Sequence, residues 1–243
     1  MGNKKSSDYF LFKQFVVHHK HSSMKVGTDA VLLGALSKVP QKGNILEVGC
    51  GSGVISLMLA QKSQAKITAL DIHQASVWEA RANFKASPWS ERLQALMISY
   101  QLYAAQGNPI RFDLIVSNPP FFVNDLKSSD EKRNLARHND QLSYRDFLLA
   151  SRNFIKEQGH LSLILPSREA QVFIEEARNF GFFLEEEINI FPKPNKESNR
   201  KIMLFGNNAQ TSLQKKSLCI RENDNSYSQD YRNLTIDYYS SLN

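Results

Sequence analysis

Three groups of residues have the types and spacing of a reaction site. Gly49, Gly51 and Gly53 alternate within ILEVGCGSGVISLMLA, between an apolar run that reads as a strand and one that reads as a helix. Glycines at such a turn let the backbone approach a bound nucleotide cofactor at the helix N-terminus, and on their own they fit a dinucleotide equally well. Asp71 closes the next apolar run, ITALDI, where a carboxylate can accept hydrogen bonds from both hydroxyls of a ribose. Asn118-Pro119-Pro120-Phe121 follows the run DLIVS. An amino group on an aromatic base is a poor nucleophile, because its lone pair is delocalised into the ring. Two acceptors, the Asn118 amide oxygen and the Pro119 carbonyl oxygen, can each take one N–H and turn that lone pair outward, on a turn stiffened by the prolines. Phe121 would stack on a base that has left its own stack.

These residues need a scaffold, and the chain spells out an α/β one. Strand patterns at 45–49, 67–72, 93–98, 113–118 and 160–166 alternate with helix patterns from Val54, across 74–87, near 143–156 and over 168–180. Runs such as LIV and LILP lack polar alternation, as expected of parallel strands buried on both faces. After Phe182, FFLEEEINIF and RKIMLFGN flank the turn-rich PKPNKESN, too short for a crossover helix, so an antiparallel hairpin is expected at the sheet edge. A further strand is expected at Leu213–Ile220 and a tyrosine-rich helix over Ser228–Leu242. At the other end, FLFKQFVVH (Phe10–His18) predicts one extended segment before a basic loop, then a helix capped by Thr28 or Asp29.

Composition sets the class. With 42% hydrophobic and 22% charged residues, the 243-residue chain sits with globular proteins and suits a single domain. The expected division is an N-terminal extension at 10–38, a catalytic core at 44–206 and a C-terminal addition at 207–243. A net charge of +6 suits a polyanionic partner. Cys50 and Cys219 are too few for a disulfide framework or a cysteine zinc site. His18, His19 and His21 lack the Cys, Asp or Glu neighbours that would complete a metal site, so no metal is expected. The N-terminal MGNKKSS superficially fits a myristoylation pattern at Gly2 and Ser6 but reads as a polar tail. With no signal-peptide core or long apolar run, the expected compartment is the cytoplasm, without membrane association.

The sequence from Glu47 through Gly53, E-x-G-x-G-x-G, resembles motif I of class I S-adenosylmethionine-dependent methyltransferases, which favours that cofactor over a dinucleotide. Asn118–Phe121 resembles the motif IV of those that modify planar nitrogens: base N6 amines, guanine N2 or a glutamine amide. Adding F-K-Q-F-x-V at 12–17, MKVGTDAVLLGA at 24–35 and LARH at 135–138, the chain resembles the tRNA1(Val) adenine-N6 methyltransferase family over about residues 12–206. That resemblance implies a Rossmann-like, seven-stranded, mostly parallel sheet with a reversed last strand, and tRNA as the partner; the sequence leaves the oligomeric state open, with a monomer favoured. It also implies that Lys25, Gly27, Thr28 and Asp29 lie beside the methionine end of the cofactor. Further cofactor contacts are expected from Glu47, Gly49, Gly51, Gly53, Asp71, Ile72 and Asn118. The acidic residue that the wider class often carries after the third strand is missing from LMISYQLYA, and Ser99 is the nearest polar substitute.

Two basic clusters suit an RNA backbone: Lys193, Lys196, Arg200 and Lys201 on the hairpin, and Lys127, Lys132, Arg133 and Arg137 after the NPPF turn, where Phe122 could add stacking. Ribosomal guanine N2, DNA adenine, a protein glutamine amide, and a non-catalytic RNA-binding protein on the same fold stay open as alternatives.

Overall fold

The apolar runs become strands because helices cover both of their faces. The computed structural model describes residues 8–107, 109–119, 142–210 and 212–240. Residues 1–7, with Gly2 and Ser6, lie outside the described residues, as do Pro120, Phe121, Phe122, Lys127, Lys132, Arg133, LARH at 135–138 and the end of the chain beyond 240.

The chain begins with β1 (Tyr9–Leu11), β2 (Val16–His18) and α1 (Thr28–Leu36). The βα alternation follows as β3 (Asn44–Val48), α2 (Val54–Lys62), β4 (Lys66–Asp71), α3 (Gln74–Ala86), β5 (Leu93–Met97), α4 (Tyr100–Ala105) and β6 (Phe112–Ser117). Then come α5 (Tyr144–Phe154), β7 (Ile155–Pro166), α6 (Ser167–Asn179), β8 (Phe183–Phe191), β9 (Arg200–Gly206), β10 (Gln214–Cys219) and α7 (Gln229–Thr235). The main sheet has the order β10-β8-β9-β7-β6-β3-β4-β5, parallel throughout except for β9, which runs against both neighbours. Successive β3 side chains point to opposite faces. Ile45 joins Val31, Leu57 and Val77 in one core, and Leu46 joins Ile115, Phe147 and Phe173 in the other.

The expected fold class holds, with differences in detail. Among the described residues the sheet has eight strands, not seven, because β10 adds in parallel to β8. The hairpin is therefore not at the edge: β9 sits between β7 and β8, and β10 takes the edge with Lys215 and Lys216, residues that discourage further pairing there. Lys216 and Lys38 both reach the buried Glu186 carboxylate, at 2.6 and 3.0 Å. Residues 10–18 are not one extended segment but the hairpin β1–β2, closed where Phe12 N donates to Phe15 O at 2.9 Å. Neither Thr28 nor Asp29 caps α1, since both lie inside it and Gly27 takes the cap position without a side-chain hydrogen bond.

Candidate active site

The chain winds β3, β4, β5 outward on one side and then returns to lay β6 against the other side of β3. Ligand crevices open at such a reversal, beyond the C-terminal ends of the strands. Val48 is the register partner of Leu70 in β4 and of Ser117 in β6, and the Ser117 hydroxyl donates to the Val48 carbonyl at 2.8 Å. The glycine turn, Asp71 and Asn118 therefore emerge from three neighbouring strand ends, each about 5 Å from the next.

The turn is held from below and open above. Gly49 N and Cys50 N both donate to the Leu70 carbonyl, at 2.8 and 2.9 Å, and Gly53 N donates to Cys50 O at 2.8 Å. Gly49, Gly51 and Gly53 have φ of +77°, +52° and +80°, the left-handed region that favours glycine. A Cβ on Gly53 would lie 2.5 Å from the Phe84 ring, whereas one on Gly51 would meet nothing within 4 Å. Gly53 thus serves packing, and Gly51 presents bare backbone to open space. Burial, with the nearby Glu47 and Asp71 charges adding to it, pushes the Cys50 thiol well above its ordinary range.

Asp71 is buried and braces this turn: Oδ2 accepts from Gly51 N at 2.8 Å and Oδ1 from His73 N at 2.9 Å. A carboxylate has about four acceptor sites, so each oxygen keeps capacity for one ribose hydroxyl. Ile72, the next residue, is 45% exposed and offers an apolar surface beside it. Ser99 lies beyond the end of β5, one strand further along, where its oxygen caps α4 by accepting from Leu102 N at 3.2 Å. A cavity of about 440 Å³ between α3, β5 and α4 is lined by Gln74, Trp78, Met97, Ile98 and Tyr103 but not by Ser99.

Glu47 is fully buried under the turn, with Oε2 taking the Ser56 N–H at 3.0 Å and the Ser56 hydroxyl as well. Its Oε1 has no partner among the described residues. Burial, only partly offset by the Ser56 hydrogen bonds and reinforced by the Asp71 charge, raises its pKa from 4.5 to about 8. At neutral pH the carboxyl therefore keeps its proton, which Oε1 can carry. Between those two values the folded state binds more protons than the unfolded, so this group's contribution to stability declines as pH rises. Thermal unfolding of Glu47→Gln should accordingly show a flatter loss of stability over the interval from 4.5 to about 8, and a slope identical to wild type would contradict the assignment.

Asn118, half-buried, and Pro119, buried, follow β6 directly, while Pro120 and Phe121 lie outside the described residues. The N-terminal group reaches the same sheet edge by another route. Asp29 Oδ2 receives Arg200 Nε at 2.8 Å, which fixes the start of α1 beside the start of β9. Lys25, Gly27 and Thr28 are exposed in the segment leading there. Gly27 has φ −114°, so no left-handed turn occurs, and a Cβ would meet only Lys25 O at 3.8 Å. Two members of the hairpin's basic cluster are already engaged, Arg200 with Asp29 and Lys201 with Glu187 at 3.1 Å. His19 is buried and accepts from Val26 N through Nδ1 at 3.2 Å.

Sequence reasoning missed Ser76, Glu79 and Asn83, which hold the segment before Met24 against α3. Their spacing places them on one helix face, a polar stripe among the buried Val77, Ala80 and Phe84. That stripe was the available signal.

The model of the methyltransferase small domain family matches residues 18–176. The tRNA1(Val) (adenine(37)-N6)-methyltransferase of Bacteroides fragilis is 36% identical over 237 residues, covering 98% of this chain and 100% of that protein. Among solved structures, a predicted O-methyltransferase from Agrobacterium tumefaciens superposes with a TM-score of 0.69 at 19% identity, covering 86% of this chain and 96% of that one. The T. thermophilus 16S rRNA N2 G1207 methyltransferase, solved with AdoMet and guanosine, superposes with a TM-score of 0.56 at 21% identity, covering 84% of this chain and 52% of that one. The last two likenesses establish the fold, and the full-length match establishes more: the chain belongs to the methyltransferase small domain family and, within it, to the tRNA1(Val) (adenine(37)-N6)-methyltransferases.

Proposed function

We propose that this enzyme methylates N6 of adenine 37 in tRNA1(Val), using S-adenosylmethionine and the residues gathered at the ends of β3, β4 and β6. The observation that carries the reading is the Val48–Ser117 register, which sets the Asn118-Pro119 acceptors at the strand end adjoining the glycine turn. The cofactor fits what is present. Gly51 offers open backbone, Asp71 has spare acceptor capacity for a ribose, and Glu47 Oε1 is a buried polar atom without a partner among the described residues. Lys25, Gly27, Thr28 and Asp29 would border its methionine end, Ile72 would cover its adenine, and Ser99, whose hydroxyl hydrogen is free to donate while its oxygen caps α4, would meet the adenine edge. S-adenosylmethionine, when bound, supplies a methyl group made electrophilic by the sulfonium charge.

The protein's own part is orientation. Asn118 Oδ1 and the Pro119 carbonyl oxygen accept the two N–H bonds of the adenine amino group, which turns its lone pair out of conjugation. Phe121, outside the described residues, would stack on the base. No strong base is required, because the nitrogen becomes acidic once methylated.

The tRNA backbone would run along the same edge. The loop between β8 and β9 is pinned to the end of β7, where Ser167 N donates to Asn199 O at 3.2 Å and the Ser167 hydroxyl to Ser198 O at 2.8 Å. That contact brings Lys193, Lys196 and Arg168 to the active-site side of the sheet. Lys193→Glu with Lys196→Glu should raise KM for tRNA about tenfold and lower the salt slope of binding by about two, with unchanged cofactor affinity. An unaltered salt slope would remove the loop from the interface.

No helix among the described residues is long and apolar enough to cross a membrane. The reading places the enzyme in the cytoplasm, acting as a monomer on tRNA. Its direct test is transfer of labelled methyl from S-adenosylmethionine to unmodified total tRNA, followed by nucleoside analysis. N6-methyladenosine is expected, whereas N2-methylguanosine would move the acceptor to a guanine amine.

A further inference from the structure

Residues 18–29 form a strap along the C-terminal edge of the sheet, anchored at both ends and carrying no strand or helix between His18 and Thr28. At one end α3, which begins just after β4, holds it. Glu79 Oε1 accepts from Lys20 N at 2.8 Å and His21 N at 3.1 Å, while Oε2 accepts from Ser22 N at 2.7 Å. Ser76 Oγ accepts from Ser23 N at 3.2 Å. At the other end Asp29 pairs with Arg200 at the start of β9. Since β3, β6 and β7 lie between β4 and β9, the anchors on either side of residues 24–28 flank the strand ends where the glycine turn and Asn118 emerge.

Asn83 couples the strap to that turn. Its Oδ1 accepts from His18 N at 2.9 Å, and its Nδ2 donates both to His18 O at 2.8 Å and to Ser52 O, between Gly51 and Gly53, at 2.9 Å. Glu79 is itself buried, and three consecutive backbone donors converge on it, so its carboxylate sets the shape of the strap rather than merely decorating it.

We infer that Glu79 is a positioning residue for the cofactor: it touches no ligand, but by gathering the amides of residues 20–22 it fixes the path of Lys25–Thr28 past the glycine turn. The inference rests on the cofactor reading of that turn. A glutamine at the position would turn an NH2 toward backbone N–H donors, leaving at least one of them unsatisfied, whereas an aspartate keeps both acceptor oxygens on a shorter arm.

The test is calorimetric titration of the full chain with S-adenosylmethionine, alongside amide hydrogen exchange and steady-state methyl transfer to tRNA. Glu79→Gln should lose protection at residues 20–22 and bind the cofactor about tenfold more weakly, while kcat at saturating cofactor stays within about twofold of wild type. Glu79→Asp should recover part of the affinity. Binding by Glu79→Gln within twofold of wild type overturns the inference, as does a fall in kcat with unchanged affinity. If Glu79→Gln does not fold, Ser76→Ala decides the matter, because it removes one anchor without changing charge. About threefold weaker binding is then expected, and unchanged binding overturns the proposal. Failure of the wild-type chain to bind S-adenosylmethionine would overturn the cofactor reading itself and this inference with it.

Discussion

Asn118→Ala should bind S-adenosylmethionine as wild type does and transfer methyl groups at least about a hundredfold more slowly, the usual scale for deleting an aimed polar group in a reaction centre. The separation of the two effects follows from where the residue sits. Asn118 lies just beyond β6, so removing its amide breaks no ladder hydrogen bond, and the Ser117 hydroxyl still ties β6 to Val48. The glycine turn hangs from β3 and β4 through Leu70 O and Asp71, neither of which involves Asn118. Turnover, in contrast, needs on the proposed mechanism both N–H bonds of the amino group held by acceptors, and the Pro119 carbonyl alone would hold one.

Asn118→Asp makes the prediction sharper. A carboxylate presents acceptor oxygens at nearly the same positions as the amide oxygen, so this variant should retain far more activity than Asn118→Ala. If the alanine and aspartate variants are equally slow, the amide NH2 rather than its oxygen matters, and the acceptor role is wrong. Wild-type turnover in Asn118→Ala would remove the residue from the chemistry altogether. Single-turnover rates at saturating cofactor and tRNA separate these outcomes from changes in binding.

What could be read from the residues alone was whatever local sequence determines. Each strand of the βα alternation delivers its C-terminal end to the same sheet edge, so the residues alone put Gly49, Asp71 and Asn118 on one edge, and the strand order β6-β3-β4 then makes them neighbours. Elements whose form depends on distant partners were less legible. β10 is mostly exposed, and only pairing with β8 makes it a strand of the main sheet. The hairpin of β8 and β9 has the same local pattern at an edge or inside the sheet, and its insertion is decided by the match of β9 to β7. The turn between β1 and β2 contains neither glycine nor proline. It is fixed instead by Lys13 N donating to Tyr238 O at 2.8 Å and by Phe12 stacking on Phe15.

The same divide runs through the site. Asp29 is an acidic residue in the first turn of a helix, where charge alone would stabilise it, and nothing near it in sequence announces Arg200, 171 positions away. Lys201 looked like a surface cation but reaches Glu187 on the antiparallel neighbour β8, diagonally, two residues from its register partner Asn189. Ser99 was chosen because it replaced an absent acid, and its oxygen is occupied in capping α4. A hydroxyl has one hydrogen to donate and a second lone pair to offer, so capping limits the contacts Ser99 can make without abolishing them.

Asp71→Ala should weaken S-adenosylmethionine binding by about a hundredfold or more, the sum of two lost hydroxyl contacts and a loosened turn. Both contributions trace to one carboxylate. On the ligand side, two acceptors for the ribose disappear. On the protein side, Gly51 N and His73 N lose their partners, and the left-handed Gly51 backbone is no longer braced against β4. The second loss removes two hydrogen bonds to a carboxylate, and although water can reach the donors of half-buried Gly51 and exposed His73, the variant should also melt earlier. Asp71→Asn separates the contributions. Its single oxygen can keep Gly51 N or His73 N but not both, and its NH2 can donate to a ribose oxygen, so stability should recover more than affinity. Calorimetry and thermal unfolding on the same samples read the two quantities independently. Affinity and melting temperature lost and regained strictly together would mean that Asp71 acts only by bracing the turn. Unchanged affinity in Asp71→Ala would place the ribose elsewhere. Loss of binding beyond what the stability change accounts for is the expected result, because the carboxylate oxygens that brace the turn still have lone pairs to offer a ligand.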